Sequence, residues 1–332
     1  MSTPRHLLVF RFSAMGDVAM TVPILKELLL QNPSLQLTVV SNENYATFFS
    51  DIDRLTFFPL QLKGRHKGFF GLLKLYKELK ALSPIDAVAD LHNVLRTKIL
   101  RSLFCFSPIK MAAIDKGRKE KKRLVQKNNK ELKQLPTTFQ RYATVFSKLG
   151  FQLILPDSII TFKQKSETLK IGIAPFAQHK EKMYPLEKMK LVIDELVRDG
   201  NAELFLFGAR GEEAAFLEKL SASNHTIHNC AGKFSLQEEM KQIAALDLMV
   251  SMDSANMHIA SLVGVPVISI WGSTHPYAGF LGWGQSIKNC VQTDLSCRPC
   301  SVFGNKPCYR EDLACLHQIT PADIVQRVKS LN

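Results

Sequence analysis

Residues 248–272 read LMVSMDSANMHIASLVGVPVISIWG. A short apolar run ends at Asp253-Ser254. The stretch SANMHIASLVG follows with helical spacing and stops at Gly264. A second apolar run, VPVISIWG, then begins. Strand, helix and strand in so short a space, with no hairpin turn, describe a βαβ crossover and hence a parallel sheet.

The same alternation extends outward in both directions. KIGIAPF (170–176) and AELFLFG (202–208) read as strands, and LEKMKLVIDELVRDG (186–200) as a helix ending at Gly200. EEAAFLEKL (212–220) and SLQEEMKQIAALD (235–247) are further helices. Near the start, HLLVFRF (6–12) is a strand and SAMGD (13–17) a turn. VAMTVPILKELLL (18–30) follows with an apolar helical stripe, and its Pro23 falls near the first turn, where proline is tolerated. LQLTVVS (35–41) and IDAVADL (85–91) are strands, and Thr320-Pro321 starts a last helix.

The expected architecture is α/β: two doubly wound Rossmann-like domains facing a central cleft. The expected boundaries are 1–165, 166–318, and a terminal helix at 319–332 packing across both. Ligands in such sheets bind beyond the carboxyl ends of the strands. A chain of 332 residues, 46% hydrophobic and 22% charged, fits two globular domains and excludes a disordered or collagen-like protein. It has no apolar run of about eighteen residues, as a membrane helix needs. The first residues lack a signal-peptide pattern, so a cytoplasmic protein is expected.

The net charge is +13 and unevenly spread: residues 1–165 hold 27 Lys+Arg against 12 Asp+Glu. The densest run is KGRKEKKRLVQKNNKELK (116–133), and a smaller knot is Lys63, Arg65, His66 and Lys67. Such a field draws an anionic partner, or it only keeps a loop solvated. Nucleic acid is the weaker choice of partner. No aromatics interleave the basic run to stack bases, and no nucleic-acid-binding motif accompanies it.

Several junctions carry chemistry. In Ser13-Ala14-Met15-Gly16-Asp17, Gly16 permits close backbone approach; Asp17 is a candidate base or merely a helix cap. In Asp253-Ser254-Ala255-Asn256-Met257-His258, either of the first two residues can cap a helix whose free N–H groups suit a diphosphate. His258 lies one turn further on. Ser273 and Thr274 end the next strand in a second glycine-containing turn. Glu212 and Glu213 follow another strand, where a carboxylate can hold ribose hydroxyls or simply start a helix. Lys182 can neutralise a leaving phosphate. Cys297, Cys300, Cys308 and Cys315 lie within nineteen residues. They suit a structural zinc site or remain free thiols.

At these residues the chain resembles glycosyltransferase family 9, the ADP-heptose:lipopolysaccharide heptosyltransferases. RFSAMGDVAMTVPIL is similar to the family's S-x-x-G-D-x-x-x-x-P segment, KMYPLEKM to K-x-W-P-x-x-x-W, and LFGARGEEAAF to G-x-x-x-E. VSMDSANMHIASLVGVPVISIWGSTHP is similar to D-(T/S)-G-x-x-H-x-A followed by the proline and glycine-threonine positions. Four positions depart from the pattern: Ala255 for glycine, Tyr184 for tryptophan, Met189 for an aromatic residue, and His275 for aspartate.

The resemblance implies a GT-B fold with an acceptor-binding first domain and a nucleotide-sugar-binding second. It implies inverting transfer of a heptose or related sugar from an ADP-sugar to an anionic glycolipid of the lipopolysaccharide core. No metal is needed for catalysis, and the expected state is a monomer held peripherally on the cytoplasmic face of the inner membrane. Asp17 and Lys182 are the implied catalytic residues. Gly16, Glu212, Glu213, Asp253, Ser254, Ala255, His258, Ser273 and Thr274 are implied at the donor. Ser13, Arg96, Lys98, Arg118, Lys119, Lys122 and Arg123, with Arg101, are implied at the acceptor. A UDP- or GDP-sugar donor and a noncatalytic anion-binding protein are the alternatives.

Overall fold

The computed structural model describes residues 4–331 apart from 83, 106, 108, 165, 166 and 223. Two sheets organise it, each wholly parallel. In the first, β1 (His6–Phe10), β2 (Gln36–Asn42), β3 (Leu55–Leu60), β4 (Ala87–Asp90) and β5 (Lys110–Ala113) are ordered β3-β2-β1-β4-β5. The second holds β6 (Leu169–Ala174), β7 (Ala202–Leu206), β8 (Ile227–Asn229), β9 (Leu248–Met252), β10 (Val267–Ile270) and β11 (Cys290–Val291). Its order is β11-β10-β9-β6-β7-β8. Each strand order reverses beside the sheet's first strand, so a crevice opens past the carboxyl ends of β1 and β4, and of β6 and β9.

Central strands covered on both faces are apolar over most of their length. Every residue of β1 and of β9 is buried accordingly. The helices supply the cover. In the first unit α3 (Gly68–Lys80) and α4 (Leu95–Phe104) turn Leu72, Leu75, Leu79, Leu100 and Phe104 onto Leu8, Phe10 and Val88. In the second, α7 (Leu186–Arg198) sets Met189, Val192, Ile193 and Leu196 against Ile171, Ile173 and Leu204.

The first loop differs from the expected turn. Helix α1 (Met15–Ala19) already contains Gly16 and Asp17, and α2 (Thr21–Gln31) begins after Met20. Pro23 sits in the first turn of α2, where its missing N–H has no helical partner to lose.

The domain boundaries also differ. One compact unit comprises Met1–Lys116 and Thr138–Pro156; the other comprises Gly117–Thr137 and Asp157–Asn332. The expected boundary at 165/166 falls on residues outside the described set. Helices α9 (Leu236–Ala244), α11 (Ala314–His317) and α12 (Pro321–Lys329) belong to the second unit, where α12 packs on α7, β10 and β11.

The basic segment 117–137 is therefore part of the second unit, for a physical reason. Its helix α5 (Arg118–Val125) buries Leu124 with Leu135 and Ala278. The Lys121 ammonium lies 4.0 Å from the centre of the Phe280 ring, a cation–π contact. Leu135 N donates to Tyr277 O at 3.0 Å, and Lys130 Nζ donates to Ser296 O at 3.1 Å. The charge asymmetry read along the chain dissolves accordingly. The first unit holds 17 Lys+Arg against 9 Asp+Glu, and the second 26 against 21. Among the described residues no helix is long and apolar enough to cross a membrane.

Candidate functional site

In the first unit the chain leaves β1 at Arg11, whose buried guanidinium donates from Nη1 to Leu91 O at 2.9 Å and pairs with the Asp17 carboxylate. Asp17 keeps 34% of its side-chain exposure, so the ion pair orients a carboxylate that solvent still reaches. Tyr142 on α6 (Thr138–Lys148) donates its hydroxyl to Asp17 O at 3.3 Å, and burial pushes the phenol's pKa upward.

The end of β4 supplies the opposite wall. Asp90 Oδ1 accepts from the backbone N–H groups of His92 and Asn93 at 3.0 and 2.7 Å. Its Oδ2 lies 3.0 Å from Arg101 Nε, an ion pair whose angle falls outside hydrogen-bond geometry. His92 is held neutral: burial, then the nearby Arg11, Lys116 and Arg96 cations, push its pKa down to about 3.

The expected acceptor residues divide. Arg96 and Lys98 are exposed on α4, and Ser13 is exposed just before α1. Arg101 is instead committed to buried Asp90. Arg118, Lys119, Lys122 and Arg123 are exposed on α5, which belongs to the second unit.

The second unit concentrates its polar groups past the ends of β6, β9 and β10. Lys182 follows β6, Asp253 follows β9, and Thr274 follows β10. Lys182 Nζ lies 2.8 Å from Asp253 Oδ2, and Thr274 Oγ1 donates to that same oxygen at 2.9 Å. Both partners of the ion pair are largely buried, with 15% and 7% of their side chains exposed. Gly304, at φ +75°, leaves room for the Lys182 stem; a Cβ there would stand 2.3 Å from its Cγ and Cδ.

Helix α10 (Ala255–Leu262) starts beside this cluster. Neither Asp253 nor Ser254 serves as the expected cap, because Asp253 is turned to Lys182 and Thr274 while Ser254 Oγ meets Ser251 Oγ at 3.2 Å. Among the described residues no side chain caps the amino end of α10, which keeps its N–H groups available to an anion. His258 is buried on α10, and Ala255 opens the helix. Ser273 Oγ is buried and has no hydrogen-bond partner among the described residues.

The two glutamates separate in role. Glu213 Oε2 accepts from Ala209 N at 2.7 Å and so ties the turn before α8 (Glu212–Ser221), while Glu212 is exposed. Tyr184 and Met189 are core residues. Tyr184 donates its hydroxyl to Ile319 O at 3.0 Å, and both side chains are fully enclosed.

Sequence reading missed Arg298. It lies inside the Cys297–Cys300 pair, where the cysteines drew attention, and is 4% exposed. Its guanidinium donates to Gly272 O at 2.6 Å, Thr274 O at 3.0 Å, Trp271 O at 3.2 Å and Gln292 Oε1 at 3.0 Å, and also reaches Thr293 O. One side chain thus satisfies the carbonyls of the turn that carries Ser273 and Thr274. The signal available was an arginine set between two closely spaced cysteines.

Cys297, Cys300, Cys308 and Cys315 are free thiols, and among the described residues no three His, Cys, Asp or Glu side chains are placed to hold a metal ion. Burial pushes Cys315 up to about 11 and raises Cys300, and the neighbouring cysteines add to the rise in both.

Arg298→Ala leaves several buried carbonyls unpaired at about 1–3 kcal/mol each. Chemical denaturation should show a loss of at least about 3 kcal/mol, and Arg298→Lys, with fewer donors and no planar fork, should recover only part of it. His275 is buried near Arg298 and Lys130, and its pKa is pushed down to about 4. Its Nδ1 accepts from Tyr277 N at 3.1 Å. Unfolding restores an ordinary imidazole, so the unfolded chain binds more protons between about pH 6.5 and about 4. Stability is complete above that window and declines as pH falls through it. Denaturation midpoints measured at about pH 7 and about pH 5 should differ less in His275→Asn than in the wild type.

The family model "Glycosyltransferase family 9 (heptosyltransferase)" matches residues 74–308. The chain is 25% identical over 288 residues to the lipopolysaccharide core heptosyltransferase OpsX of Haemophilus influenzae, covering 82% of this chain and 80% of that protein. Among solved structures, the family 9 glycosyltransferase of Veillonella parvula superposes with a TM-score of 0.74 at 18% identity, over 98% of this chain and 97% of that one. E. coli heptosyltransferase WaaC with ADP gives a TM-score of 0.73 at 19% identity, over 98% and 100%. The two parallel, doubly wound sheets are thus those of a GT-B fold. Because the family match runs from α3 through the cysteine-rich segment and takes in Lys182, Asp253 and Thr274, the chain belongs to glycosyltransferase family 9, the heptosyltransferases, and is an enzyme.

Proposed function

We propose that the enzyme transfers a heptose from an ADP-heptose to an anionic glycolipid acceptor of the lipopolysaccharide core, with inversion at the anomeric carbon and no catalytic metal. The observation that carries this reading is the convergence of Lys182, Thr274 and the free amino end of α10 on one crevice. That is the charge pattern a departing nucleoside diphosphate needs. The similar WaaC structure was solved with ADP.

In this mechanism the acceptor hydroxyl gives its proton to the Asp17 carboxylate as its oxygen attacks the anomeric carbon. The bond from that carbon to the diphosphate breaks, and ADP departs with the electron pair. Lys182 releases Asp253 in favour of the phosphate. The first-turn N–H groups of α10 beside Ser254 and Ala255, together with Ser273 Oγ and the His258 edge, hold the developing charge. Glu212 takes the ribose. Asp253 then orients Thr274 and the sugar. Arg11 keeps Asp17 aimed, acting through it. Ser13 and Gly16 flank the attacking hydroxyl. Arg96, Lys98 and the exposed face of α5 (Arg118, Lys119, Lys122 and Arg123) take the acceptor's phosphates and acidic sugars. Each chain carries both sets of groups, so a monomer suffices, associated peripherally with the cytoplasmic face of the membrane that holds the acceptor.

Asp17→Asn should lower kcat by about 10²–10⁴ while ADP affinity, read by calorimetry, stays within about twofold to threefold. Full retained transfer would remove the base assignment. Lys182→Ala should weaken ADP binding as well as lower kcat, by about 10²–10³ in kcat. A panel of ADP-, UDP- and GDP-sugars assayed for nucleotide release identifies the donor; release from UDP-sugars alone would overturn the adenine reading.

A further inference from the structure

Helix α3 presents its core face through Leu72, Leu75 and Leu79, yet its first turn carries two phenylalanines that face away from that core. Phe69 and Phe70 are 57% and 83% exposed, and their rings meet edge to face at 6.0 Å. Of the other described phenylalanines only Phe303 is comparably exposed. Burying such rings is worth much more than leaving them in water, so a pair held in solvent marks a contact surface.

The surroundings define the contact. Lys63, Arg65 and Lys67 precede the pair, Lys74 follows one turn later, and all four reach solvent. The loop that bears the first three is fixed to α3. Gly71 admits the His66 backbone so closely that a Cβ there would stand 2.3 Å from His66 C. His66 Nδ1 accepts from Gln61 N at 3.1 Å, and its Nε2 lies 3.0 Å from Glu78 Oε2. Arg65 Nε also donates to Glu78 Oε1 at 2.8 Å, which leaves the lysines, among the described residues, as the cations of the patch open to a partner.

We infer that this corner of the first unit is a docking surface for an anionic lipid bilayer, with Phe69 and Phe70 entering the headgroup boundary and the lysines meeting lipid phosphates. The chemistry favours a bilayer over a protein partner. Lysine is depleted from protein–protein contacts, whereas lysines ringing exposed aromatics are the composition of interfacial membrane anchors. The inference rests on the proposed lipid-linked acceptor for its purpose alone, since the experiment uses neither acceptor nor nucleotide-sugar.

The test is co-sedimentation of the full chain with vesicles of phosphatidylcholine containing about 30% phosphatidylglycerol, against phosphatidylcholine alone. The wild type should partition to the anionic vesicles and be released by salt. Phe69→Ser/Phe70→Ser should reduce the partition coefficient by about tenfold or more. Each of Lys63→Gln and Lys67→Gln should reduce it by about fivefold. Phe70→Trp keeps an aromatic ring in place and guards against misfolding of the serine variant. Its added fluorescence should shift to the blue on anionic vesicles and be quenched by brominated lipid. Equal binding to neutral vesicles, unchanged binding in the serine and glutamine variants, or an unquenched signal from the Phe70→Trp variant would overturn the proposal. So would a concentration-dependent dimer in sedimentation velocity that the serine variant abolishes, because the surface would then belong to a second copy. A negative result on vesicles leaves sugar transfer to a soluble acceptor untouched, so the two readings fail separately.

Discussion

One carboxylate oxygen holds three loops of the second unit together. Asp253 Oδ2 receives Lys182 from the loop after β6 and Thr274 from the loop after β10, while Asp253 itself ends β9. In a parallel sheet adjacent strands are joined by long crossovers, so nothing in the sheet's own hydrogen bonding fixes one carboxyl-end loop against the next. A buried charge pair with a hydroxyl supplies that fixation. Burying the pair is costly, and removing one partner costs more than the pair contributes, since the other charge is then stranded. A ligand phosphate offered to Lys182 exchanges one anion for another at the ammonium, while the Thr274 hydroxyl continues to donate to the Asp253 carboxylate. The resting interaction thus keeps the lysine placed for its proposed task.

Arg298 performs the complementary work on the backbone side. Carbonyls that turn inward at the end of β10 need donors, and no neighbouring strand supplies them. A planar guanidinium with five N–H groups meets Trp271, Gly272, Thr274 and Thr293 at once. Lysine, with three donors on one nitrogen, has no equivalent reach. The cysteine-rich segment therefore serves this turn through the arginine between its first two cysteines, and through Gly304, which makes space for the Lys182 stem.

The parallel sheets were legible because their central strands are apolar on both faces over most of their length, and the runs at 6–10, 169–174 and 248–252 show it, with only His6, Lys170 and Ser251 as polar members. The strand–helix junctions were legible for the same reason: Asp17, Lys182, Asp253 and Thr274 stand where apolar runs end. What a linear reading could not show was partnership. Arg11 lies within the apolar run 6–12, and it pairs with Asp17 across the turn. Arg101 looked like a free cation, but it pairs with buried Asp90 from a different element. Glu212 and Glu213 are adjacent and chemically alike, and only the backbone of residue 209 distinguishes them. The run at 116–133 read as a basic strip that draws an anionic partner or stays solvated, because charged residues fill it up to Leu124; that leucine and the ring-facing Lys121 decide where it lies.

The placement of 117–137 bears on how such enzymes can be recombined. Because the polypeptide changes unit at three points, the units are not beads that a single splice could exchange. A hybrid that took its first 165 residues from a relative would import a foreign strip against a native Tyr277–Phe280 surface, mismatching Leu124, Lys121 and Leu135 with rings they did not evolve beside. Segment 117–137 and the Tyr277–Phe280 surface it packs on are therefore expected to be exchanged only as a set.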